Sequence, residues 1–164
     1  MMAERGASTM DVKDFLRPGD VLVNVRAADK ANLLQELATR TALILDVPAD
    51  RICSELSKRE ALGSTGTGGG IAIPHARLPE VKTPFGMLVR LRQPIDFEAV
   101  DGKPVDLVFL LLAPAASAGE QLNALACVAR KLRNAACLRA LRHAADTAAL
   151  YRAIIETASE LRPS

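Results

Sequence analysis

At 164 residues the chain is sized for one domain that buries a hydrophobic core without disulfides or a structural metal. Hydrophobic residues make up 49% of it but aromatic ones only 3%, with no Trp and one Tyr, so the core has to be aliphatic. Lys and Arg number 21 against 19 Asp and Glu, a formal net charge of +2, which excludes a protein that holds nucleic acid by bulk electrostatics.

Met1 to Met10 lacks the apolar core of a secretory signal and is expected to be a flexible leader, with residues 11–157 forming the domain and 158–164 a tail. Arg17-Pro-Gly-Asp20 is a turn signal, and Val21 to Val25 reads as a strand. Asp29 is placed to cap a helix over Lys30 to Leu45, along which Ala31, Leu34, Leu37, Ala38, Thr41 and Leu45 recur at helical spacing. Pro48 suits the first turn of a second helix that turns Ile52, Cys53 and Leu56 inward and ends near Glu60. Ile71 to Ile73, Phe85 to Leu91 and Val105 to Leu112 are β-prone, and the last is apolar almost throughout, as a strand covered on both faces would be. A turn at Asp101-Gly102 and a short edge strand around Ile95 to Phe97 are expected between the last two. Leu122, Leu125, Ala129 and Leu132 then mark one amphipathic helix, Leu138 and Leu141 a shorter one, and Leu150, Tyr151, Ile154 and Ile155 a third. The pattern predicts a single α/β domain, a mixed β-sheet with helices on both faces.

The cysteines at 53, 127 and 137 form no C-x-x-C, and two histidines do not complete a ligand set, so no metal site is expected. They read as small buried hydrophobes in a reducing compartment. The apolar run Leu107 to Ala116 is broken by Pro114 and too short to span a bilayer, so membrane insertion is not expected and the cytoplasm is the expected location. Between Ala126 and Ala145, Arg130, Lys131, Arg133, Arg139, Arg142 and His143 stand without an acidic residue, either a solvated basic face or a surface for an acidic partner.

The chemistry concentrates in residues 59–77, Arg-Glu-Ala-Leu-Gly-Ser-Thr-Gly-Thr-Gly-Gly-Gly-Ile-Ala-Ile-Pro-His-Ala-Arg. Gly63 and Gly68 fit the glycines of a P-loop, but Gly69 stands where its lysine belongs, and the dinucleotide pattern G-x-G-x-x-G fails at Ile71 and Ile73. What remains is a permissive backbone with Ser64 and Thr65 as hydroxyl donors, suited to an oxyanion or to a plain surface turn. Pro74 pushes Ile73 into an extended conformation and delivers the His75 imidazole at a strand end. A histidine near its ordinary pKa of about 6.5 is largely neutral at pH 7 and offers a ring nitrogen as nucleophile, with Arg59 and Arg77 close enough in sequence to support phosphoryl charge; the alternative is a structural histidine. His143 reads as a solvated residue at a helix end.

The stretch from Arg59 to His75, followed by Ile95-Asp-Phe-Glu-Ala-Val-Asp-Gly-Lys-Pro-Val-Asp-Leu-Val-Phe-Leu-Leu-Leu-Ala-Pro114, resembles the enzyme IIA domain of the bacterial phosphoenolpyruvate phosphotransferase system. Within it the chain is most similar to the fructose/mannitol class and its nitrogen-regulatory members, over about residues 11–157. The resemblance implies that His75 is phosphorylated at Nε2 by a small HPr-like carrier, that Arg59, Ser64 and Thr65 surround it, and that no cofactor is bound. It implies onward partners as well, either proteins regulated by the phosphorylation state or a IIB protein in sugar uptake. The family commonly shows His-Leu-x-x-Leu at the next helix, whereas here the segment is Gln121-Leu-Asn-Ala-Leu125. Gln121 can hydrogen-bond a phosphate or the imidazole but carries no charge, or it caps a helix and faces solvent; with transfer lost, the chain would be a non-catalytic interaction module.

Overall fold

The computed structural model describes residues 10–156. Apart from Met10, the expected leader and tail lie outside the described residues. Two 3-10 turns, Val12–Asp14 and Pro18–Asp20, lead into β1 (Val21–Val25). There follow α1 (Lys30–Leu45), α2 (Ala49–Ala61), β2 (Gly66–Gly68), β3 (Ile71–Ala72), β4 (His75–Leu78), β5 (Phe85–Ile95) and β6 (Val105–Pro114), then α3 (Ala118–Leu132), α4 (Ala135–His143) and α5 (Thr147–Ile155). The helix starts are chemically specified: Asp29, Ser117, Asn134 and Asp146 each accept a first-turn backbone N–H, an arrangement that contributes about 1 kcal/mol apiece. Pro48 sits one residue before α2 rather than inside its first turn, where its missing N–H is equally harmless.

The sheet is mixed. β1 runs parallel to β5, β5 antiparallel to β6, and β2 antiparallel to β3. On the far side of β6, β3 and β4 lie one after the other, both parallel to it, with Ile71 opposite Leu107 and His75 opposite Leu111. They amount to one strand interrupted at Ile73-Pro74. Helices cover both faces, as the apolar run of β6 requires. Val105, Val108, Leu110 and Leu112 pack toward α1 and α2, while Leu107, Phe109 and Leu111 pack toward α3, α4 and α5.

Three expectations need correction. No separate edge strand forms around Ile95 to Phe97: β5 continues through a register shift after Arg90 to pair Ile95 with Val105. Pro94, which cannot donate to a ladder, falls in that irregular stretch, and Phe97 is buried outside any strand beneath the Lys30 ammonium, 4.7 Å from its ring centre. The buried stripe of α3 is Ala124, Cys127, Val128 and Leu132, and Leu122 is 69% exposed. Small side chains bring this helix down on the sheet, so its inner face is less hydrophobic by residue type than the predicted one. Finally, β2 and β4 lie where only loop was expected. The cysteines are free thiols: Cys127 and Cys137 are buried, Cys53 is half-buried, and burial pushes the Cys137 thiol up to about 11.

Candidate functional site

His75 opens β4 just after the break in the strand, half-buried at the floor of a cleft of about 460 Å³. Its Nδ1 lies 2.8 Å from the Ile73 carbonyl oxygen, an acceptor only, so Nδ1 carries the proton and Nε2 the lone pair. Arg59, from the last turn of α2, donates from Nε to that Nε2 at 3.2 Å and from Nη1 to the Gly63 carbonyl at 2.9 Å. Both interactions specify one neutral tautomer.

Burial of the ring pushes the His75 pKa below its ordinary 6.5; the Ile73 carbonyl pulls it up, the Arg59 charge down and the Glu60 charge up. Between the folded pKa and 6.5 the unfolded chain binds the extra proton, so this group leaves stability intact above 6.5 and lowers it as the pH falls through that window. In an NMR titration the His75 ring signals are expected to shift with a midpoint below 6.5, while a midpoint above 6.5 would contradict the assignment.

Arg59, Arg77 and Gln121 line the cleft with His75, joined by Lys58 and Glu55, which the sequence did not single out. Lys58 and Glu55 pair with each other at 3.3 Å on the outer side. Three cations against one carboxylate leave the opening electropositive. Gln121 does not cap α3, a role that Ser117 fills by accepting from Glu120 N–H at 3.2 Å; the first turn of α3 instead brings Gln121 to the cleft wall.

The two hydroxyls are engaged elsewhere. Ser64 Oγ donates to the Phe97 carbonyl at 2.9 Å and accepts from Gly66 N–H at 3.0 Å. Thr65 Oγ1 donates to Glu60 Oε2, and Thr65 N–H to Glu60 Oε1 at 3.0 Å. Neither is among the residues lining the cleft. The glycine-rich loop does not form an anion cradle beside His75 either. Gly66 to Gly68 pair with β3, and Gly69 N–H donates to Asp101 at 3.0 Å, a bond that holds the Asp101 carboxyl below the usual range. Gly70, at φ 82°, is needed because a Cβ there would lie 2.5 Å from Arg142 Nη2. Arg142 straps the loop to Asp106 and to the Gly69 carbonyl. The glycines are therefore packing and turn devices.

Behind the cleft, Glu60 is a further residue that the sequence does not single out. It is 8% exposed, bonded to Thr65 twice, and paired with Lys30 at 3.0 Å. Nothing local signals this, because its cation lies on the preceding helix.

Residues 14–157 match the family model described as the phosphoenolpyruvate-dependent sugar phosphotransferase system, EIIA 2. The chain belongs to this family. It is 42% identical over 142 residues to a nitrogen regulatory protein of Bradyrhizobium diazoefficiens, covering 87% of this chain and 93% of that one. With a nitrogen regulatory protein of Pseudomonas aeruginosa it shares 41% over 146 residues, covering 88% and 95%. The crystal structure of nitrogen regulatory protein IIA-Ntr from Neisseria meningitidis matches it with a TM-score of 0.82 at 32% identity, over 88% of this chain and 99% of that one. As an EIIA 2 member the chain is a phosphoryl-transfer component of this system, and its mixed sheet with helices on both faces is the IIA fold. Among the described residues no helix is long and apolar enough to cross a membrane.

Proposed function

We propose that His75 is the phosphoryl acceptor of a nitrogen-regulatory phosphotransferase component, charged by an HPr-like carrier and signalling by phosphorylation-dependent protein binding. The observation that carries this reading is the tautomer: the Ile73 carbonyl holds the Nδ1 proton and leaves the Nε2 lone pair inside an electropositive cleft. In the transfer, the P–N bond of the donor phosphohistidine breaks as a bond forms to His75 Nε2, and no base has to remove a proton first. Arg59 donates to the attacking lone pair, so its guanidinium turns from nitrogen to the phosphoryl oxygens as the donor arrives, pivoting about its bond to Gly63. Arg77, Lys58 and the Gln121 amide supply further charge or donors, and catalysis is positioning and electrostatics rather than cofactor chemistry.

The rim suits a protein donor. Leu62 lines the cleft and is 85% exposed, and Leu122, beside Gln121, is 69% exposed. Exposed aliphatics around a cationic opening are what a docking partner covers. Leu122→Asp is expected to slow charging by roughly tenfold through weaker docking, raising the KM for the phosphorylated carrier without unfolding the protein. An unchanged KM would remove Leu122 from the interface.

Incubation with phosphoenolpyruvate, enzyme I and HPr is expected to yield an acid-labile, alkali-stable adduct. Absence of an adduct would favour the interaction-module reading. Rapid discharge of the adduct to a IIB protein would favour sugar uptake over regulation.

A further inference from the structure

We propose that the recess between the ends of β1 and β5 and the start of α1 binds a small dianion, a phosphate monoester or a dicarboxylate, independently of His75. The recess, of about 420 Å³, is lined by Arg26, Ala27, Ala28, Asn32, Arg92 and Gln93. Val25 pairs with Leu91 in parallel register, so Arg26, just past the end of β1, and Arg92, in the irregular last stretch of β5, are the next residues along neighbouring chain segments, and both line the recess. Adjacent like charges repel unless an anion lies between them. Among the described residues neither arginine makes an ion pair.

The remaining donors point to the same chemistry. The Asn32 side-chain oxygen accepts from Ala28 N–H at 3.0 Å, which fixes the amide and leaves its NH₂ group as the free end. No carboxylate lines the recess, because the nearby acids, Asp29, Asp96 and Glu98, line a different groove with Lys30. The end of β1 is re-aimed by a register shift between Leu22 and Val25, with Asn24 at φ 57°. Two guanidinium forks fit a ligand with two negative charges, and the volume admits a small metabolite rather than a bare ion alone. His75 pairs with Leu111, whereas Leu91 and Ile95 lie toward the opposite end of the sheet, where Ile95 pairs with Val105. The two anion-attracting clefts therefore do not compete.

The test is an amide and side-chain NMR titration of the full chain with glycerol 3-phosphate, inorganic phosphate and succinate at constant ionic strength, with sodium chloride as control. Saturable shifts at Ala27, Ala28, the Asn32 side-chain amide and Gln93 are expected. The phosphate or dicarboxylate arm that saturates at the lower concentration names the ligand class. R26Q and R92Q are each expected to weaken that binding by at least about tenfold, while the rest of the spectrum and charging at His75 are unchanged. Three outcomes would overturn the proposal: no saturable shift at these residues, an equal response to chloride, or binding that survives in the R26Q/R92Q double variant.

Discussion

Replacing His75 with Ala is expected to abolish the acid-labile phosphoryl adduct, whereas Arg59→Ala is expected to leave the adduct but slow its formation by about 10²–10³-fold. Two effects of Arg59 oppose each other. Its Nε–H donates to the Nε2 lone pair and so ties up the nucleophile; releasing one hydrogen bond is worth about 0.5–1.5 kcal/mol, roughly tenfold in rate at most. In the proposed transfer its guanidinium also meets charge developing on the transferred group, and removing one such preorganised donor costs about 2.7–4 kcal/mol. The second term wins, so Arg59→Ala is slower, not faster. Arg59→Lys restores only part of the rate, because an ammonium lacks the fork that holds both Gly63 and a phosphoryl oxygen. Single-turnover quench measurements with a phosphorylated carrier read both variants. An adduct in His75→Ala would move the site elsewhere, and a wild-type rate in Arg59→Ala would leave Arg59 with only a structural bond.

The legible parts of the chain are those in which local chemistry and burial agree. Lys30–Leu45 appears as expected because a capping Asp29 precedes a stripe that includes Leu34, Leu37, Ala38 and Thr41, all buried. Within β5 and β6, the segments Phe85 to Leu91 and Val105 to Leu112 are apolar enough to be seen without partners, whereas the exposed continuation of β5 to Ile95 is not. β4 has only four residues and exists because β6 offers it a ladder, a contact some 36 residues away in sequence that no local pattern encodes. The α3 stripe is not legible from hydrophobicity, because the exposed Leu122 is more hydrophobic than the buried Ala124 and Cys127. Within the site, the proximity of Arg59 and Arg77 to His75 could be read from sequence spacing, and Gln121 from the resemblance. The hydroxyls of Ser64 and Thr65 could not be oriented in that way, because their partners, Phe97 and Glu60, are fixed by tertiary packing.

Glu60→Ala is expected to destabilise the domain by about 3–5 kcal/mol, the usual cost of removing one member of a buried ion pair. Its carboxylate satisfies the backbone and hydroxyl donors of Thr65, and Lys30, whose side chain is only 16% exposed, depends on it. The alternative partner of Lys30, Glu98, is 73% exposed and in water supports little. Against a typical domain stability of about 5–15 kcal/mol the loss is large. The consequence reaches the site: Thr65 O accepts from Ile73 N–H at 3.1 Å, and Ile73 O in turn holds the His75 Nδ1 proton. Releasing Thr65 loosens the acceptor that selects the tautomer, so the Nε2–H form should become populated and charging should slow even in the fraction that remains folded. Glu60→Gln keeps an acceptor for Thr65 but not the charge for Lys30, and is expected to lose less stability and to retain the tautomer. Urea denaturation with an unchanged m-value measures the first effect, and His75 ring ¹⁵N shifts measure the second. If Glu60→Ala lowered stability fully while the His75 tautomer and the charging rate of folded protein stayed as in the wild type, Glu60 would support the fold without positioning the histidine.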